Sequence, residues 1–323
     1  MTRFGKSGLL AILLAVAAGC STVSGESART ARRALEPAPT TVTDPPTTTT
    51  PPPPCGNARA SFAPSPLYRP GEMPVGSTMR DIQERGKLVV GVDENTPEFA
   101  ARNAKGQIEG LEVDLVNAIA NAIIGPSARV VFRTVVTAEK NQVVHDHLVD
   151  LTASADSMTC PRWNEVAFST EYFTAYHKLM VRTDSTIEGM DDLAGKTVCV
   201  TAGSSSVKLL ADKAPKAHAL EVPARSDCLL AIQEGQADAY LGHDTFLRGM
   251  HAQDPLNTRI LDEEISMQHY GIAIPNDHRD LVQFVNAVLE NMRANGALAD
   301  LYTKWHQVGS PPDPMYRDET GAP

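Results

Sequence analysis

The chain has 323 residues and a formal net charge of −10, with 29 Lys and Arg against 39 Asp and Glu. An acidic chain with only 5% aromatic residues argues against nucleic acid or an anionic lipid surface as its partner. Apolar residues make up 42% of the whole, enough to give one large or two modest domains a buried core.

Arg3 and Lys6 precede an apolar run from Leu9 to Ala18. The run is too short to span a bilayer and has the layout of a secretory signal. It ends Ala17-Ala18-Gly19-Cys20, which resembles the lipobox of bacterial lipoproteins. That resemblance implies a signal peptide over 1–19, a diacylated Cys20 as the mature N-terminus, and a net charge near −12 once Arg3 and Lys6 are removed. Between Pro37 and Pro54, fifteen of eighteen residues are Pro or Thr. Such a run buries no core and favours extended polyproline conformations. Residues 20–77 therefore read as a lipid-anchored tether, open to O-glycosylation, with ordered structure beginning near Ser77.

From Ser77 onward, helical and strand patterns alternate. Thr78 to Arg85 reads as a short helix ended by Gly86. KLVVGVD (Lys87 to Asp93) is an apolar run closed by a carboxylate, as in a buried α/β strand. Leu111, Leu115, Ile119, Ala122 and Ile123 recur at helical spacing, placing a helix over Val113 to Ile124. Arg129 to Val136 is strand-like, and Asn141 to Leu148 helical. The pattern then repeats: a strand Thr197 to Ala202, a Gly203-Ser204-Ser205-Ser206 turn and a helix Val207 to Lys213. A helix Cys228 to Glu234 and strands Ala237 to Leu241 and Gly271 to Ile274 follow. Helices over Leu281 to Arg293 and Ala297 to His306 close the series. This alternation predicts parallel sheets in two α/β lobes. Residues 309–323 read as a flexible tail.

The chemistry concentrates in DLTASADSMTCPRWNEVAFS, Asp150 to Ser169. Small hydroxyl side chains leave backbone N–H groups accessible, Pro161 suits a first helical turn, and Arg162 can present a planar fork to a carboxylate. A small anion is the expected ligand of such a stretch. If Cys20 is lipidated, Cys55, Cys160, Cys199 and Cys228 remain, an even number in an exported chain. Of the three possible pairings, Cys199–Cys228 with Cys55–Cys160 is favoured. The first would join a strand to a helix within one lobe, and the second would pin the tether's end beside the organising stretch. His145 and His147 form an HDH pattern without a third ligand, so no metal is expected, and no other cofactor either. Trp163 and Trp305 read as packing residues.

The chain resembles the polar amino-acid group of extracytoplasmic solute-binding proteins of ABC importers, the glutamine- and glutamate/aspartate-binding kind. The likeness runs over about residues 80–308 and is carried by seven strings in order. They include GKLVVGVDENTPEF, GQIEGLEVDLVNAIA, DLAGKTVCVTAGSS and EGQADAYLGHDTF, besides the stretch above. The resemblance implies a two-lobed type II periplasmic-binding fold, with a hinge of two crossing segments near Tyr172–Tyr176 and Met267–Tyr270. Lobe 1 would comprise 78–174 and 269–308, lobe 2 would comprise 175–268, and a ligand cleft would lie between them. It implies that Ser154, Ala155, Ser157 and Arg162 hold the ligand from lobe 1, with Arg162 on its α-carboxylate. Ser204 and Ser205 would do so from lobe 2, at a helix start whose N–H groups favour an anion. The family's ammonium-binding aspartate falls on His243, or on Asp244 with a one-residue slip. Its ligand-packing aromatic falls on Thr96. Asp156 stands where an apolar residue is usual. Asp93 either lines the cleft or satisfies nearby backbone.

The function so implied is a lipid-anchored, monomeric solute-binding protein on the outer face of the cytoplasmic membrane. It would capture a carboxylate-bearing solute such as glutamate, aspartate, glutamine or asparagine for an ABC permease. The alternative is an amino-acid sensor signalling through a membrane partner. A third reading, a dehydratase-like enzyme using His243 and Asp156 as an acid–base pair, lacks a nucleophile motif.

Overall fold

The structure, a computed structural model, describes residues 55–317. The expected signal peptide, Cys20 and the Pro/Thr-rich run through Pro54 lie outside the described residues, as do residues 318–323. No described helix is long and apolar enough to cross a membrane.

Lobe 1 is built on a five-stranded sheet in the order β5-β1-β6-β14-β7. Its strands are β1 (Lys87–Val92), β5 (Arg129–Thr134), β6 (Leu151–Thr152), β7 (Ala167–Phe168) and β14 (Ala273–Ile274). Leu88, Val90 and Val92 of β1 are fully buried, which is why this strand reads as a continuous apolar run. One face is covered by α1 (Thr78–Arg85), α2 (Leu111–Ile124), α8 (Arg279–Ala294) and α9 (Ala297–Lys304). The Ser77 side chain caps α1 by accepting from the Arg80 N–H, and Gly86 ends it at φ 66° in the left-handed region. On the other face lie α3 (Lys140–His145) and the one-turn α4 (Cys160–Trp163).

Lobe 2 has a six-stranded sheet, β10-β9-β11-β8-β12 with β13 also on β8. Its strands are β8 (Phe173–Arg182), β9 (Thr197–Thr201), β10 (His218–Val222), β11 (Ala239–His243), β12 (Thr258–Ile260) and β13 (Ser266–Tyr270). Helix α5 (Ser205–Lys213) packs on one face, with α6 (Arg225–Gln233) and α7 (Asp244–His251) on the other. The two crossings between lobes are β8 and β13, paired antiparallel from Phe173↔Tyr270 to His177↔Ser266. Phe173 and Ala175 belong to the lobe 1 core, whereas Leu179 and Val181 belong to lobe 2.

Three sequence expectations require correction. Both sheets are mixed rather than parallel: β14 runs antiparallel to β6 and β7, and β8 runs antiparallel to β11, β12 and β13. The strands that return across the hinge necessarily reverse direction. A small antiparallel sheet, β2 (Asn95–Thr96), β3 (Ala100–Arg102) and β4 (Ile108–Glu109), was not anticipated, because strands this short carry no period.

Residues 55–76, expected to belong to the tether, are already ordered. They form a strap on lobe 1. The Ser61 hydroxyl donates to Phe168 O at 2.6 Å, Trp163 Nε1 donates to Ala58 O at 2.8 Å, and Met73 is buried. The supposed tail joins it, with Ser61 bridging to Tyr316 and the Arg317 N–H donating to Ser61 O at 2.7 Å. Proline-rich chain has no periodicity, yet its backbone groups here find partners one at a time. The Cys55–Cys160 bridge ties the strap to α4, and Cys199–Cys228 ties β9 to α6.

Candidate functional site

The segment Ala153–Thr159 leaves β6 without regular structure, and Ala155 turns at φ 46°, a conformation costly for a residue with a Cβ. It is held there because the fully buried Glu112 accepts the Ala155 N–H at 2.6 Å and the Tyr172 hydroxyl on the same oxygen. Burial pushes the Glu112 carboxyl up from its usual range. The turn presents Ala155 and Ser157 to a cavity between the lobes, opposite the start of α5. The cavity measures about 10 Å³, the space of a single water.

Arg162 and Ser157 line it from lobe 1, and Ser204, Ser205 and His243 from lobe 2. Arg162 spans the gap. Its Nη1 donates to Asp156 Oδ1 at 2.7 Å and Ser157 O at 2.9 Å, and its Nη2 donates to Gly203 O at 2.9 Å. Gly203 tolerates no side chain: at φ +71° a Cβ would lie 2.6 Å from Ala138 Cα of the opposite lobe. Ser204 caps α5 in extended conformation and Ser205 begins it, so free N–H groups and the positive dipole end face the cavity. The buried hydroxyls of Ser154 and Ser204 find no partner. The Ser157 and Ser205 hydroxyls approach to 3.4 Å.

Asp93, Thr96 and Ser154 stand behind this lining. Asp93 is 3.3 Å from Arg225, and it also accepts from the Thr137 hydroxyl and from the backbone N–H and side-chain amide of Asn95. Thr96 accepts from Arg225, and Ser154 O accepts from both Lys140 and Arg225. Asp156 does not stand free for catalysis: it is fully buried between Arg162 and Lys140, the latter at 3.0 Å. Asp244 is excluded from the cavity. Its Oδ1 accepts the Tyr176 N–H at 3.0 Å and its Oδ2 pairs with Arg248 at 3.3 Å. As the first residue of α7 its carboxylate sits at a helix N-terminus, and of the two candidate positions His243, not Asp244, lines the cavity.

His243 is not alone. Its Nε2 is 3.2 Å from His177 Nε2 and 3.2 Å from Ser205 Oγ, while its Nδ1 meets the Tyr270 hydroxyl at 2.6 Å. Burial pushes His177 down to about 4 and His243 well below the ordinary histidine range, the latter further lowered by His177. Both rings are therefore neutral at pH 7.

Three residues important to the site escaped sequence reading: Arg225, Lys140 and His177. Arg225 comes from lobe 2 but pairs with Asp93, Thr96 and Ser154 of lobe 1, making it a cross-lobe clasp. Lys140 lies buried against Asp156, and burial lowers its pKa to about 8 despite the Asp156 charge. A signal existed. Lys140 and Arg225 are each the first residue of a helix, where the dipole disfavours a cation. With Arg162 they give the lining three cations and no carboxylate.

Comparison with known proteins agrees with this architecture. Residues 88–308 match the profile of the bacterial extracellular solute-binding proteins, family 3. The ABC transporter glutamine-binding protein GlnH of Bacillus subtilis is 30% identical over 230 residues, covering 71% of this chain and 84% of that protein. The glutamate-binding protein GluB of Corynebacterium efficiens is 26% identical over 77% of this chain and 91% of its own length. Among solved structures, a mutant of ArgBP from T. maritima superposes with a TM-score of 0.66 at 28% identity, covering 71% of this chain and 98% of that one. The chain belongs to the bacterial extracellular solute-binding proteins, family 3.

Proposed function

From that membership, we propose that the protein captures a small carboxylate-bearing amino acid outside the cytoplasm and delivers it to an ABC importer. Glutamate, aspartate, glutamine and asparagine are the candidate solutes, and Cys20 is the lipid anchor holding the protein to the membrane as a monomer. The observation that carries the reading is the cavity lining: Arg162, Lys140 and Arg225 converge with the start of α5, and no carboxylate lines the cavity, Asp156 and Asp93 pairing with these cations from behind it. The relatives named for glutamine and glutamate support the solute class, and delivery to an importer rather than signalling to a sensor partner rests on the name of the Bacillus relative. Asp156, the partner an acid–base pair with His243 would need, is engaged by Arg162 and Lys140, and the reading is that of a binder rather than an enzyme.

The closed cavity is several-fold smaller than an amino acid, so uptake requires the lobes to part and close again around the solute. The test is calorimetric titration of the chain from Ser21 onward against the twenty amino acids. Selective micromolar binding of an acidic or amide amino acid is expected. Arg162→Ala should weaken it by about thirtyfold or more, because the variant leaves the carboxylate desolvated and unpaired. Absence of binding to any amino acid would refute the function, and unchanged affinity in Arg162→Ala would refute the site.

A further inference from the structure

Outside the cleft, the described residues contain one group of side chains with metal-ligand chemistry drawn from segments remote in sequence. His147 lies in the turn between α3 and β6. Asp277 and His278 lie in the turn between β14 and α8. One ligand atom from each lies within 4.8 Å of the other two. His147 Nε2 is 3.5 Å from Asp277 Oδ2, and the two imidazole centroids are 5.0 Å apart at an interplanar angle of 60°. Ligands on a tetrahedral zinc at about 2.0–2.1 Å from the metal stand about 3.3 Å from one another. The observed spacing therefore needs only a small contraction, within reach of side-chain rotation for the exposed His147 and Asp277.

The backbone holds both histidines in place. His147 sits at φ 54°, in the left-handed region that histidine enters more readily than most residues. Its N–H donates to Val144 O at 3.0 Å, and that of His278 donates to Pro275 O at 3.0 Å. His278 Nδ1 is buried and has no hydrogen-bond partner, an uncommon state for a buried ring nitrogen. Two neutral imidazoles and one carboxylate give a charge of −1 and a mixed nitrogen–oxygen donor set. That set suits zinc or a neighbouring transition metal rather than magnesium or calcium, which take oxygen ligands. The sequence offered only His145 and His147 without a third ligand; the fold brings Asp277 and His278 to His147 instead.

We propose that His147, Asp277 and His278 form a divalent transition-metal site of the zinc class on lobe 1, with water completing the coordination. The ion would join the end of α3 to the start of α8, so it would stabilise the folded chain by binding a site that the unfolded chain lacks. The proposal does not depend on the identity of the solute.

Zinc chloride titrated calorimetrically into the chelator-stripped chain is expected to bind one ion per molecule and to raise the melting temperature. His147→Ala and His278→Ala should each weaken zinc binding by about tenfold or more, and the double variant should lose the thermal shift. His218→Ala, exposed on β10 of lobe 2, should leave both unchanged. His147 and His218 are exposed and His278 is half-buried, and circular dichroism checks that each variant folds. Zinc binding that survives in the double variant, that falls equally in His218→Ala, or that is absent at about millimolar zinc overturns the site.

Discussion

At the scale of single residues, His243 is where the proposed site would depart from the family pattern. A neutral imidazole, backed by His177 and Tyr270, occupies the place that the family resemblance gives to an ammonium-binding carboxylate. His243→Asp introduces a negative charge into a lining that has none, and this favours a solute of higher net positive charge. The affinity ratio of glutamine to glutamate should rise by about tenfold or more, a 1.4 kcal/mol change in discrimination. An unchanged ratio in competition titrations would show that His243 does not read the solute's charge. The histidines also set a pH dependence. His177 titrates at about 4 in the fold against an ordinary 6.5, so between these values the unfolded chain binds more protons than the folded one. Its contribution is fully present above pH 6.5 and is lost progressively as pH falls toward 4. The loss by pH 5 is about 2 kcal/mol, and the pH slope of the melting temperature between 7 and 5 should be shallower in His177→Asn. Ser157, Arg162, Ser204 and Ser205 were legible in the sequence because hydroxyls, glycine and arginine cluster beside helix starts. Arg225 was not, because its partners lie far away along the chain, and Lys140, though only 14 residues from Ser154, was not because its burial against Asp156 shows only in the fold.

Among the elements, the one-turn α4 bears the most on function relative to its size. Four residues make few hydrogen bonds of their own, so its position depends on outside ties. The Cys55–Cys160 bridge, Trp163 Nε1 on Ala58 O and the Arg317 guanidinium 3.7 Å from the Trp163 ring centroid supply them. The strap that sequence composition assigned to the tether thus holds the turn bearing Arg162. A bridge closing a loop of 105 residues stabilises by about 5 kcal/mol in the chain-entropy account. Cys55→Ser with Cys160→Ser should cost about 2–5 kcal/mol in urea unfolding and weaken solute binding as well. Cys199→Ser with Cys228→Ser should lower stability while leaving affinity nearly intact, because that bridge lies behind the lobe 2 sheet. Equal effects of the two pairs on affinity would contradict the positioning of α4 by the strap. Long periodic helices such as α2 and α8 were plain from spacing. The strap, β2 to β4 and β10 were not, since their order comes from neighbours rather than from local pattern.

For the whole molecule, the question is what keeps the lobes together. Arg162 reaches Gly203 O, and Arg225 reaches Asp93, Thr96 and the Ser154 carbonyl, all across the cleft. Arg225 and Asp93 are nearly inaccessible to solvent, so removing one partner strands a charge at a cost of about 3–5 kcal/mol in the closed form. An open form lets water reach Asp93, and Arg225→Leu should therefore shift the solute-free protein toward opening. Small-angle X-ray scattering should report a larger radius of gyration for this variant, and a second substitution, Asp93→Asn, should restore the smaller value. If the radius stays constant in both, the clasp does not govern closure.

Sequence alone determined the alternation of strands and helices, the two lobes and six of the twelve residues that line the cavity, because these depend on spacing and on chemistry within short stretches. It also favoured the disulfide pairing that the structure contains. Only tertiary structure decided that Asp156 is occupied by Arg162 and Lys140, that Asp244 turns to Tyr176, and that Arg225 closes the cleft from the far lobe. The reason is physical: burial and charge pairing are properties of positions in space, and the hinge brings together residues more than a hundred places apart along the chain.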